Sequence, residues 1–147
     1  MAIQNGAYKV ALTAATSTAV GGVLNLTNPT GVDVLITRAM DELPQQYIKG
    51  LNNVAIVMAD EPTEEQRIKM KLVGKLLLGL YEGVPLTKRG NGWSGMLPDK
   101  ITLFKNQILM IVHDEASLFE QIKRTLWHEI AHYYGLDHDR MHHLQVR

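Results

Sequence analysis

Three features of the sequence predict a single mixed domain of short strands and helices. Three compact apolar runs, at residues 54–58, 76–81 and 101–104, have the length and bounding turn residues of buried strands. Around them lie stretches with helical spacing, the clearest of which places Leu118, Ile122, Leu126 and Ile130 four residues apart. The composition of the 147 residues, 46% apolar and 20% charged, is that of an ordinary globular chain able to bury one core.

Residues 1–31 differ in texture from the rest. They are rich in Ala, Thr, Gly, Val and Asn, with Lys9 as their one charged residue. Short apolar alternations at 8–12 and 23–26 are candidate strands, interrupted by Gly21-Gly22 and Asn28-Pro29. A flexible or accessory N-terminal arm, or a small added hairpin, is expected over 1–31, with the main domain over 32–147. Val32, Leu35, Ile36, Ala39, Met40 and Leu43 then recur at helical spacing until Pro44, while Val32, Val34 and Ile36 also read as a strand. A short second helix at 45–51 stops at Asn52-Asn53.

The strand at 54–58 is bounded by Asp60-Glu61-Pro62. Thr63 as N-cap, with Gln66 three residues on, forms a capping box that opens a charged helix. The strand at 76–81 runs into Gly83 and Pro85, and four glycines or prolines make 87–98 a loop. The strand at 101–104 leads into a short apolar helix at 106–112. Ser117 and Glu120 read as a second capping box, opening the helix that carries the stripe.

That helix ends in the densest chemistry of the chain, His128-Glu129-Ile130-Ala131-His132-Tyr133-Tyr134-Gly135-Leu136-Asp137-His138. His128 and His132 lie one turn apart, about 6 Å along the axis, so their imidazoles can converge on one zinc ion. Glu129 is adjacent but points elsewhere, which suits a general base for a metal-activated water. Gly135 can take the left-handed conformation that ends a helix, and the returning chain can present His138 as third ligand. The fourth position stays open, as catalysis requires. His128 and His132 also lie off the apolar stripe.

Blander readings exist. H-E-x-x-H occurs on solvated helices by chance, but the placed glycine and third histidine argue against coincidence. A purely structural zinc site favours four ligands and cysteine, and this chain has no cysteine. Net charge is zero, so no basic footprint marks nucleic acid or an anionic membrane as a partner. No apolar run reaches 18 residues, so no transmembrane helix is expected. The lack of cysteine fits a reducing compartment, and a cytoplasmic location is the expectation.

The segments Leu77-Leu78-Gly79-Leu80-Tyr81-Glu82-Gly83-Val84-Pro85-Leu86-Thr87, Leu97-Pro98-Asp99-Lys100-Ile101-Thr102-Leu103-Phe104 and the 128–138 motif together resemble the small bacterial zincin-like metallopeptidases. Ala39-Met40-Asp41-Glu42-Leu43-Pro44 and Asn53-Val54-Ala55-Ile56-Val57 are similar to that family's opening helix and first strand. The resemblance spans about 37–144. It implies an α+β, zincin-like fold: a small mixed β-sheet packed against the active-site helix and two to four further helices. It also implies a peptidase, with His128, His132 and His138 as ligands of one Zn2+ ion and Glu129 as base. Residues 1–31 look foreign to the family, and Met141 follows the motif too closely to be equated with a methionine turn.

The expected activity is zinc-dependent hydrolysis of a peptide or protein substrate. The strand at 101–104 is a candidate edge against which an extended substrate could pair. The 90–95 loop could border the cleft, with Trp93 as a substrate contact or a loop anchor. Asp137 or Asp139 could orient a ligand imidazole or simply be solvated. Tyr133, Tyr134, Arg140, His142 and His143 neighbour the motif, but none is assignable as an oxyanion donor, and packing is the commoner fate of the tyrosines. His113 stands apart and reads as structural. A module that keeps the fold and binds metal or a partner with negligible turnover is the alternative. Oligomeric state is not fixed by the sequence.

Overall fold

The structure, a computed structural model, describes residues 2–5, 8–12, 29–71, 74–90, 92, 97–137 and 139–140, with side chains from residue 34 onward. Two short strands, β1 (Ala2–Asn5) and β2 (Tyr8–Leu12), form an antiparallel hairpin. Helices α1 (Pro29–Glu42) and α2 (Gln45–Lys49) precede β3 (Val54–Ala59), and α3 (Glu64–Lys69) follows it. Then come β4 (Gly79–Glu82), a 3-10 turn at Leu86–Lys88, β5 (Asp99–Phe104), α4 (Lys105–Leu109) and the long helix α5 (Glu115–Tyr134). The candidate strand at 23–26 lies outside the described residues.

The five strands make one mixed sheet in the order β1-β2-β3-β5-β4. β2, β3 and β5 run parallel, with Val54 opposite Asp99 and Ile56 opposite Ile101. β4 pairs antiparallel with β5, with Tyr81 opposite Ile101. This is the expected α+β architecture, with one correction. The run at 101–104 is not an edge: β3 flanks it on one side and β4 on the other. The physical reason is visible in its burial, since Ile101, Thr102, Leu103 and Phe104 are all 3% exposed or less. A strand covered on both faces reads as a continuous run and belongs inside a sheet. The edge is β4.

Helices α1 and α5 share one face of the sheet. Leu35, Ile36, Ala39 and Met40 of α1 meet Leu118, Ile122, Leu126 and Ile130 of α5, with Ile56, Ile101 and Leu103 of the sheet beneath them. All four residues of the predicted α5 stripe are buried. Each such side chain contributes about 1.5–3 kcal/mol of transfer free energy, so the stripe anchors the helix that carries the motif. A smaller cluster of Leu77, Leu80 and Phe104 fills part of the opposite face.

The capping expectations divide. Thr63 caps α3 with both reciprocal bonds to Gln66 in place. The α5 box sits three residues earlier than expected: Asp114 is the N-cap, accepting from the Ser117 N–H at 2.7 Å, and Ser117 is the third residue of the helix. Ser117 returns the bond, its hydroxyl oxygen accepting from the Asp114 N–H. Aspartate and serine are both strong caps, and the upstream residue wins because its carboxylate also complements the helix dipole.

Candidate active site

α5 positions the motif by its two ends. At its start the Asp114–Ser117 box fixes the register. At its finish Gly135 takes φ +75°, and its N–H bonds to the His132 carbonyl while the Leu136 N–H reaches Ala131. This paired closure reverses the chain just after the motif, as expected for glycine in the left-handed region. Thr87, from the 3-10 turn, lies against Gly135 where any side chain would collide.

The helix then approaches the edge strand unusually closely. A Cβ built at Gly79 would fall 2.6 Å from Thr125 Cγ2 and 3.4 Å from Glu129 Cγ. Only glycine at the start of β4 lets α5 lie so near. The approach has a chemical result: the Tyr81 backbone N–H donates to the Glu129 carboxylate. Glu129 is 7% exposed, and burial pushes its carboxyl up to about 7 although the Tyr81 bond opposes the shift.

His128 and His132 are half-buried on the neighbouring face of the same helix. Their Nε2 atoms are 3.0 Å apart and their rings are nearly perpendicular, at 75°. Ligand atoms of His128, Glu129 and His132 all lie within 4.8 Å of one another. A tetrahedral zinc ion with Zn–N near 2.0–2.1 Å needs donors about 3.3 Å apart, so the imidazole pair needs to open by only a few tenths of an ångström. The donor set fits zinc. His138, the expected third ligand, lies outside the described residues, as do Trp93, Met141, His142 and His143.

The other motif neighbours have their own partners. The Asn52 N–H donates to the Tyr133 hydroxyl oxygen at 3.2 Å, and the Tyr134 hydroxyl donates to the Tyr47 carbonyl at 2.6 Å. Burial, with Tyr133 and Tyr47 nearby, pushes the Tyr134 phenol up to about 12, so it stays protonated. Both tyrosines therefore pack, as expected, and their hydroxyls serve the backbone at 47 and 52. Asp137 accepts the Arg140 N–H at 2.8 Å and closes the turn after the helix. Asp139 and Arg140 are exposed. His113 is exposed beside Asp114, and its backbone N–H donates to the Ser117 hydroxyl at the start of α5.

Sequence reasoning missed a buried polar cluster behind the edge strand. Asp99 is 4% exposed and accepts from the Tyr81 hydroxyl at 2.6 Å and from Arg89 at 2.5 Å. Arg89 also donates to the Val84 carbonyl, which ties the 3-10 turn to the start of β5. Burial and the Asp99 carboxylate hold the Tyr81 phenol protonated far above its ordinary value. Tyr81 thus serves twice: its backbone holds Glu129, and its side chain holds the sheet corner. An Asp just ahead of an apolar strand run, with an Arg in the preceding loop, was the available signal.

A pocket of about 310 Å³ opens beside the His–Glu–His group. Leu77, Leu78 and Gly79 line one wall, and Gln121, Arg124, Thr125, His128 and Glu129 of α5 line the other.

With this geometry established, comparison with known proteins gives a consistent answer. The model of the zincin-like metallopeptidase family matches residues 51–147, which include β3, β4, β5 and the whole of α5. A conserved hypothetical protein from Thermo thermophilus is similar in structure, with a TM-score of 0.50 and 22% identity over 74% of this chain and 94% of that one. At that identity the likeness speaks for the fold. No curated protein matches the chain. The match over about two thirds of the sequence settles the kinship: the chain belongs to the zincin-like metallopeptidase family.

Proposed function

We propose that the protein is a zinc-dependent peptidase in which His128, His132 and His138 hold the ion and Glu129 is the general base. The observation that carries the reading is the His–Glu–His group. Its ligand atoms lie within 4.8 Å of one another, with the carboxylate anchored by a backbone N–H of the edge strand. Family membership supports a metal-dependent hydrolase and a protein or peptide substrate.

A bound zinc ion supplies Lewis acidity, which makes nearby water more acidic and polarises a carbonyl. The rest falls to the chain. Glu129 takes a proton from the attacking water and returns it to the leaving amine; its place on the helix brings the carboxylate beside the two imidazoles without requiring it as a ligand. The Tyr81 N–H helps to orient the carboxylate. β4 offers its outer edge to an extended peptide, since among the described residues no strand pairs with it there. We assign 32–147 to this domain. The 1–31 segment is an accessory element, a reading supported by the family match starting at 51 and by its hairpin lying on the far side of the sheet from β4.

The test is cleavage of a diverse peptide library by zinc-loaded protein. Cleavage should disappear on chelation, return with zinc, and be absent in His132→Ala. A wild-type protein carrying stoichiometric zinc that cleaves nothing would instead favour a metal- or partner-binding module on the same fold.

A further inference from the structure

The pocket beside the candidate base has a polarity that points to the substrate. Most of its surface is apolar, from Leu77, Leu78 and the aliphatic part of the α5 wall. Its polar groups beyond His128 and Glu129 are three. Two satisfy each other, since the Gln121 amide donates to the Thr125 hydroxyl at 3.0 Å. The third is Arg124, exposed, one helical turn before His128. Its neighbour Lys123 turns away to Glu42 at 3.3 Å. Arg124 makes no hydrogen bond or ion pair among the described residues.

Resting on the peptidase reading of the site, we infer that Arg124 makes this pocket a subsite for a substrate residue bearing a carboxylate next to the scissile bond. At about 310 Å³ the space is at the small end for ligand pockets and suits one side chain. An aliphatic stem lies against Leu77 and Leu78, and its anionic end meets the guanidinium. Arginine's planar fork binds a carboxylate through two parallel N–H bonds, stronger and more selective than a neutral contact. Glu129 occupies the inner wall of the same pocket, so a substrate carboxylate is favoured only at the rim, where Arg124 stands. The carboxylate comes either from an acidic side chain or from the end of a peptide chain.

Zinc-loaded wild type and Arg124→Gln are titrated, with binding followed by NMR, against acetyl-glutamyl amide, acetyl-glutaminyl amide, acetyl-leucine and acetyl-leucinamide. Expected is that one acid binds about tenfold tighter than its uncharged counterpart in wild type, and that the ratio falls to about one in Arg124→Gln. Arg124→Lys should keep the sign of the preference. Preference for the glutamyl probe identifies a side-chain carboxylate, and preference for acetyl-leucine a chain terminus. Equal binding of acid and amide by wild type overturns the inference. So does a preference that survives in Arg124→Gln, which would place the carboxylate on the metal. A protein that discriminates the acids but cleaves no peptide would refute the peptidase reading and leave the subsite standing. Cleavage without acid preference would do the reverse.

Discussion

Gly79→Ala should loosen the helix that carries the motif, and the size of the effect follows from the contacts. The added Cβ meets Thr125 Cγ2 at 2.6 Å and the Thr102 carbonyl oxygen at 3.2 Å, both on buried residues. Overpacking of this kind costs typically 1–3 kcal/mol. Alanine also restricts the unfolded chain, which offsets about 0.4–1 kcal/mol. The net loss is about 1–2 kcal/mol, or roughly 3–6 °C in Tm for a domain of this size. Because α5 must move away from β4, the Tyr81–Glu129 bond lengthens at the same time. Urea and thermal unfolding measure the loss. Thr125→Ser removes the colliding methyl and keeps the hydroxyl, so Gly79→Ala/Thr125→Ser should recover part of it, short of full recovery because the Thr102 contact persists. Unchanged stability in Gly79→Ala, or strictly additive single-mutant effects, would refute the close approach of α5 to the edge strand.

Arg89→Ala leaves the Asp99 carboxylate, whose side chain is 5% exposed, without its cationic partner and should cost about 3 kcal/mol by urea denaturation; Asp99→Asn should cost less because the guanidinium it leaves behind is 17% exposed and still donates to the Val84 carbonyl. The Ser117 hydroxyl and N–H hold the Asp114 carboxyl below its ordinary 3.8. That contribution is therefore full above the unfolded value and is lost as pH falls through the lower folded one, so stability of Asp114→Asn should depend less on pH than wild type below about pH 4. Zinc at a hundred times its dissociation constant should raise stability by about 2.7 kcal/mol, read as a concentration-dependent rise in Tm, and His132→Ala should abolish that rise.

What could be read from the sequence was local. The four-residue stripe from Leu118 to Ile130, the Thr63–Gln66 box and the left-handed Gly135 each depend on residues within one or two turns, and each is where its spacing put it. The convergence of His128 and His132 is likewise a property of one helix. The α5 start was displaced because Asp114 and Ser117 both make plausible caps, and the Asp114 carboxylate also complements the helix dipole. Strand order was not legible. Whether 101–104 is central or an edge depends on which strand pairs beyond it, and the buried face of Phe104 comes from Leu77 and Leu80. The Asp99–Tyr81–Arg89 cluster joins positions up to 18 residues apart, too far for any periodicity to signal. The part of the site on α5 was therefore readable, and the part supplied by the sheet edge was not.

Glu129→Gln separates the action of Glu129 on water from the holding of the metal by the histidines. The glutamine side chain keeps the size of the carboxyl and can still accept the Tyr81 N–H. Zinc stoichiometry and peptide cleavage are measured on the same preparation. Undiminished zinc is expected, with cleavage reduced by about 10²–10⁴-fold. Cleavage equal to wild type, or zinc lost together with activity, would contradict this division of roles.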